Sequence, residues 1–354
     1  MTTPFYNPTL SYDENYDRGP FGAFENPASW TPHTAAKDSF LGIPIDFPFG
    51  IPAGPLLNAR YVSAAFSMGF PVCVYKTVRS RQTPSHPAPN VLPIDINGDL
   101  TLEKAAKPVS IKSSYSPPLS ITNSFGVPSK DPGVWEVDMK EALQSARQGQ
   151  LLIGSFQGTS SPDGFDAFLE DCVSTAVRVA ATGVKVLELN LSCPNEGKKA
   201  LLCFDIERVE AIVDAIKAQV ATPLLLKLAY FSDQQQLTKF VEHIGPRVEG
   251  LCAINTIPAT IVDEHGKQAL PGEGRAVSGV CGDAIRWAGI EMVEQLSVLR
   301  NSLNLEFAIV GVGGVLGADH YQQYRRAGAD LVLSATGAMW NPQLAQEIYK
   351  QLHN

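Results

Sequence analysis

The chain lacks the marks of several whole classes of protein. Nowhere in its 354 residues is there a run of the ~18 uninterrupted apolar residues that a membrane span needs. It has no basic excess: 28 Lys and Arg stand against 36 Asp and Glu, a formal charge of -8 that argues against nucleic acid as a partner. Its start, Met-Thr-Thr-Pro-Phe-Tyr-Asn-Pro, has neither the basic nor the apolar region of a signal peptide, so a cytoplasmic location is the expectation. Cysteine is sparse. Cys73, Cys172, Cys193, Cys203, Cys252 and Cys281 include no pair at CxxC spacing, and several sit inside apolar runs. That pattern fits no disulfide framework, metal site or iron–sulfur relay, and all but Cys193 read as reduced core thiols. The six histidines are equally dispersed. A strand followed by GxGxxG is missing near the start, which disfavours an open dinucleotide-binding sheet and NAD with it.

What is present is an alternation. Short apolar runs lie at 72–76, 151–156, 186–191, 223–228, 249–254, 307–311 and 330–334, and the Phe47–Ala53 region supplies an eighth. Helical patterns fall between them. Phe165, Phe168, Leu169, Cys172, Val173, Ala176 and Val177 share one face, and Gly183 ends that segment. Asp205 can cap a helix carrying Val209, Ile212, Val213 and Ile216, a third amphipathic stretch runs from Ala284 to about Arg300, and Asn341-Pro342 opens the last helix. Strands alternating with helices mean a parallel sheet. Eight runs over this length predict an α/β fold of one kind, a single (β/α)8 TIM barrel over 44–354. Residues 1–43, rich in Pro, Gly, Asn and aromatics, read as an N-terminal arm, and 79–135 as a long insertion or lid after the second strand.

In such a barrel the site is built at the C-terminal ends of the strands. Lys76 ends one run, Asn190 another, Lys227 follows Leu-Leu-Leu, and Asn255-Thr256 follows Leu-Cys-Ala-Ile. Two lysines and two asparagines on one rim describe a pocket for an anionic, hydrogen-bonding ring system. Gly313-Gly314 after the seventh run and Ala335-Thr336-Gly337 after the eighth suit a phosphate held by backbone N–H groups. Flavin mononucleotide (FMN) or a sugar phosphate would both fit there. A pyridoxal enzyme could use Lys227, but would leave Cys193 and its amide neighbours without a role.

Asn190-Leu-Ser-Cys-Pro-Asn195 resembles the active-site loop of the dihydroorotate dehydrogenase family, in its class 1 branch. The likeness extends over about residues 44–352, through Pro52-Ala53-Gly54, Lys76-Thr77, Asn123-Ser-Phe-Gly-Val-Pro128, Lys227, Asn255-Thr256, Gly313-Gly314 and Ala335-Thr336. The class 2 enzymes carry serine in place of the cysteine and a membrane-binding helix pair. The resemblance implies FMN on the barrel top, with Ala53, Gly54, Lys76, Thr77, Ser155, Asn190, Lys227, Gly279, Gly313, Gly314, Ala335 and Thr336 holding it. It implies that Lys76, Asn123, Gly126, Val127, Asn190, Asn195, Asn255 and Thr256 bind dihydroorotate. Cys193 would take the C5 proton while a hydride passes from C6 to flavin N5, with Lys227 beside the ring. The activity would be oxidation of (S)-dihydroorotate to orotate in pyrimidine synthesis, by a homodimer closest to class 1A, with fumarate as electron acceptor. Class 1B enzymes instead reach NAD through a second subunit.

Three departures from the family pattern stand out. Asn123-Ser-Phe-Gly-Val-Pro-Ser129 replaces the usual Asn-Ser-Met-Gly-Leu-Pro-Asn, residues 79–120 are longer than usual, and Glu196-Gly-Lys-Lys199 after the cysteine is slightly short. Two rival readings share the motifs: a dihydropyrimidine dehydrogenase-like barrel acting on a neutral ring, and a flavin-binding protein without turnover.

Overall fold

The structure, a computed structural model, describes residues 3–33, 38–160, 162–192 and 201–353. Eight parallel strands close into a barrel: β1 Phe49–Ile51, β2 Val72–Val78, β3 Leu151–Phe156, β4 Val186–Asn190, β5 Leu224–Leu228, β6 Gly250–Ala253, β7 Ala308–Val312 and β8 Leu331–Leu333. Each pairs with the next in chain order, and β8 returns to β1. This is the (β/α)8 TIM barrel. Its strands read as unbroken apolar runs because both of their faces are covered. Alternate residues turn inward: Val72, Val74, Leu151, Ile153, Val186, Leu225, Val310 and Leu331 fill the barrel, while Leu152, Leu187, Leu224, Leu226 and Leu251 face the helices.

The outer helices are α1 Ala59–Ser67, α2 Pro132–Gln144, α3 Phe165–Ala180, α4 Ile206–Lys217, α5 Gln234–Ile244, α6 Arg286–Ser302, α7 Ala318–Ala327 and α8 Leu344–His353. Several begin where a short polar side chain satisfies the first free N–H groups. Asp205 accepts from the Arg208 N–H, Asp233 from Gln235 and Gln236, and Asn58 from Tyr61. Asp131 accepts from Gly133, with Pro132 in the first turn, so the excursion after β2 ends at Asp131 rather than running to residue 135. At the last helix, Asn341 accepts from the Gln343 N–H and the helix starts at Leu344, so Asn341-Pro342 forms the lead-in turn.

Both barrel ends are closed. A hairpin of Asp38–Phe40 and Ile43–Ile45, turning at Leu41-Gly42 with both φ angles positive, pushes Phe40 and Ile45 into the interior cluster with Val72, Leu151 and Val186. It plugs the N-terminal end. Over the other end lies a five-stranded sheet, ordered Val91–Pro93, Ser120–Asn123, Val277–Gly282, Ile257–Val262, Val109–Ser110. Three of these strands come from the insertion after β2. The other two come from a second excursion, after β6, which the apolar runs do not announce. Arg275, only 1% exposed, joins the two excursions: it donates to the carbonyls of Pro87, Pro89, Pro271 and Ser124 and to the Ser124 hydroxyl. The start of the chain lies across the outside. Its short helix, Tyr12–Arg18, opens with a reciprocal Ser11–Glu14 capping box and buries Phe5, Tyr6, Tyr12 and Phe24. Among the described residues no helix is long and apolar enough to cross a membrane, and no group of three or more His, Cys, Asp or Glu could hold a metal ion.

Candidate active site

One cavity lies between barrel mouth and roof, about 1080 Å³ counted to its opening. Its floor is the polar end of the barrel interior. The inward positions that hold Val72 and Val74 lower down hold Lys76 on β2, Asn190 on β4 and Lys227 on β5, and Asn255 and Thr256 follow β6. Ala53 and Gly54 border it after β1, Thr77 after Lys76, and Ala335 and Thr336 after β8. The roof contributes Asn123, Val127 and Gly279.

Of the other site positions expected from sequence, four stand behind this lining. Ser155 is fully buried and shares a 3.0 Å hydrogen bond with the Thr77 hydroxyl. Gly126 sits in the loop beside Val127, whose carbonyl accepts from Arg79 Nε at 3.0 Å. Gly313 and Gly314 follow pocket-lining Val312, with φ of 131° and 66°. A side chain at Gly314 would meet the Gly282 carbonyl at 2.8 Å, so a bulkier residue could not let that loop approach so closely. Gly279 is under the same constraint, because a Cβ there would strike the Thr256 hydroxyl at 2.4 Å. Cys193 and Asn195 lie outside the described residues.

The chain leading to Cys193 is held firmly. Asn190 donates through Nδ2 to Gln157 Oε1 at 2.9 Å and accepts through Oδ1 from the Ser192 N–H and hydroxyl, at 3.3 and 3.2 Å. Asn255 Nδ2 donates to the Ser192 carbonyl at 2.8 Å. Two amides from neighbouring parts of the rim therefore bracket Ser192, 1% exposed, one residue before the thiol. Asn123 Nδ2 donates to Cys281 Sγ at 3.1 Å, tying the roof's central pair together across the pocket face.

The electrostatics suit an anion. Lys76 and Lys227 are only 7% and 5% exposed, and the Lys227 ammonium makes no direct hydrogen bond or ion pair among the described residues. A buried ammonium without a partner is costly, and an anionic group placed against it lowers that cost. The apolar part of the wall (Pro52, Pro55, Val91, Ile121, Val312 and Met339) suits the carbon face of an aromatic ring. A flavin, polar along one edge and apolar along the other with a phosphate tail, fits this donor set.

Sequence reasoning missed several lining residues. Cys281, read there as a core thiol, lines the cavity. Burial pushes its pKa up, while its contacts with Asn123 and Thr336 and the field of Lys227 pull the other way. Tyr6 reaches the cavity from near the chain start, edge-on to Phe125 at 5.6 Å, and its buried hydroxyl has no hydrogen-bond partner among the described residues. The aromatic content of residues 1–30 is the only signal that could have pointed to it.

Comparison with known proteins agrees with this geometry. Residues 107–354 match the sequence model of the dihydroorotate dehydrogenase family. The chain is 31% identical over 371 aligned residues to a dihydroorotate dehydrogenase of Dictyostelium discoideum, covering 100% of this chain and 99% of that one. It is 30% identical to the catalytic subunit of dihydroorotate dehydrogenase B (NAD(+)) of Staphylococcus carnosus, over 65% of this chain and 70% of the relative. A dihydroorotate dehydrogenase A (fumarate) of Lactobacillus delbrueckii subsp. bulgaricus is 28% identical, over 66% and 71%. With a family match over most of its length and a relative aligned from end to end, the chain belongs to the dihydroorotate dehydrogenase family.

Proposed function

We propose that the protein oxidises (S)-dihydroorotate to orotate with FMN, in pyrimidine synthesis. One observation carries this reading: Lys76, Asn123, Asn190, Lys227, Asn255 and Thr256, from separate strands and from the roof, converge on one cavity. The substrate is a cyclic amide with a carboxylate, and amide side chains with buried ammonium groups complement both features. FMN, when bound, supplies the acceptor for the hydride that leaves C6. Ala53, Gly54, Thr77, Ala335 and Thr336 border the space it would take, with Gly313 and Gly314 behind, and Lys227 would supply positive charge beside it.

Cys193 is the base in this reading. A thiol of ordinary pKa, about 8.5, is mostly protonated at neutrality, so removal of the C5 proton improves as pH rises toward that value. Asn190 and Asn255 fix Ser192, the residue before it in sequence, and a base misplaced by about 1 Å can cost on the order of 100-fold in rate. A dihydropyrimidine dehydrogenase-like reading shares the loop, yet a neutral ring would leave the buried lysines with less to bind. The remaining parts of the reading are a cytoplasmic homodimer and fumarate as acceptor. The fumarate-type relative supports that acceptor, and the NAD-type relative names its alternative.

The test is anaerobic bleaching of the purified yellow protein. Dihydroorotate is expected to bleach it and dihydrouracil is not; no bleaching by dihydroorotate sinks the proposal. Reoxidation by fumarate, NAD or a quinone then identifies the acceptor. Cys193→Ala is expected to keep FMN and slow bleaching at least about 100-fold. Near-normal bleaching would remove Cys193 from its role.

A further inference from the structure

Beneath the pocket floor lies a charged group that the proposed reaction does not use. Glu188 is on β4, between Val186 and Asn190, and strand alternation sends all three into the barrel. It is 0% exposed, and no N–H or O–H group among the described residues donates to its carboxylate, which has the Cys252 thiol beside it. A carboxylate left alone in a dry interior is costly enough that few folds keep one without a compensating charge.

The register shows where that charge is. Glu188 lies opposite Leu225 on β5, and Lys227, two residues on and facing the same way, lies opposite Asn190. On its other side Lys227 lies opposite Cys252 of β6. The Cys252 thiol, 0% exposed, feels both groups: burial pushes its pKa well up, the Glu188 carboxylate adds to that, and the Lys227 ammonium opposes it. The Glu188 side chain therefore extends from β4 across the interior toward β6, under the lysine that faces the cavity. Below it the interior is apolar: Ile153, Val186, Leu225 and Val310. Ser155, its cross-strand neighbour on β3, is turned toward Thr77. Lys227 is thus the cation nearest in register, and it meets Glu188 through the field both exert at Cys252 rather than in a direct ion pair.

We propose that Glu188 is a positioning residue, a fixed counter-charge beneath the Lys227 ammonium that limits the positive charge it presents to the bound flavin. The inference rests on the flavin reading above. Its consequence is a redox poise: with the carboxylate in place, Lys227 favours the reduced, anionic cofactor less than an unpaired ammonium would.

The experiment has two arms. In the first, the midpoint potential of the flavin in the intact protein is compared between the parent and Glu188→Gln. Loss of the negative charge is expected to favour the reduced form about tenfold, a rise of about 30 mV for a two-electron couple, with Glu188→Asp staying near the parent. An unchanged potential in a flavin-loaded glutamine variant overturns the proposal, because a purely structural role would not move it. The second arm needs no flavin. Lys227→Met leaves Glu188 alone and is expected to lower the melting temperature, and adding Glu188→Gln is expected to recover it. A double variant no more stable than Lys227→Met overturns the pairing, and this arm decides if Glu188→Gln alone fails to fold. A protein that purifies without flavin defeats the functional reading instead, and leaves the second arm to judge the pair.

Discussion

At the scale of single residues, Asp138 on α2 shows how burial and hydrogen bonding compete. Its Oδ1 accepts from the Ala59 N–H at 2.7 Å and from the Tyr75 hydroxyl at 2.5 Å, yet burial outweighs both and raises the carboxyl above its ordinary range. A carboxyl raised on folding binds its proton more tightly in the native state, so its effect on stability is most favourable at or below the ordinary carboxylate pKa, about 3.9. That effect is lost as pH climbs through the raised value. Asp138→Asn keeps the accepting oxygen and removes the titration. Its melting temperature is expected to fall less than the parent's from acid pH toward neutrality, and parallel curves would contradict this. The strand-end residues were readable because two simple rules act on them: alternation turns every second side chain inward, and barrels place chemistry at the C-terminal ends. Tyr6 and Cys281 follow neither rule. Their places depend on partners far along the chain, Met339 for the segment carrying Tyr6 and Ile121 opposite Cys281.

At the scale of elements, the roof is the part that local sequence hides. The barrel strands are apolar runs bounded by helices, legible because both faces are buried. The roof strands are short and mixed, such as Val109–Ser110 and Ser120–Asn123, and they pair across excursions that leave from β2 and β6. Only long-range pairing makes them strands. Arg275 is their fastening, and Arg275→Met removes a charged donor from four carbonyls at once. The expected loss is about 3 kcal/mol, with the freed carbonyls left in a site closed to water. Hydrogen exchange locates it: Val91–Pro93, Ser120–Asn123 and Val277–Gly282 should lose protection while Val72–Val78 keeps it. Uniform loss over roof and barrel would mean that the sheet is not a separable unit.

At the scale of the whole molecule, the first thirty residues are part of the core. Phe5, Tyr6, Tyr12 and Phe24 are each at most 4% exposed, and Phe24 and Phe5 meet at 4.4 Å before reaching Phe70 and Tyr61. Burying an aromatic side chain contributes about 2 kcal/mol, so four of them approach the whole stability of an average domain, about 5–15 kcal/mol. Deleting residues 1–33 is expected to yield insoluble protein or one melting at least about 10 °C lower. A truncated chain that melts like the parent would show the segment to be dispensable.

The hydrogen bond from the Phe5 N–H to the Met339 carbonyl, 3.2 Å long, seats Tyr6 against a cavity that Met339 also lines. The pocket is in that sense stitched from segments far apart in sequence. During synthesis the central strands can pair early, but the contact that completes this part of the cavity wall waits until Met339 has emerged. Closing so long a loop is among the slowest steps a fold can take. The part of the cavity wall that Tyr6 supplies therefore forms only once that loop has closed.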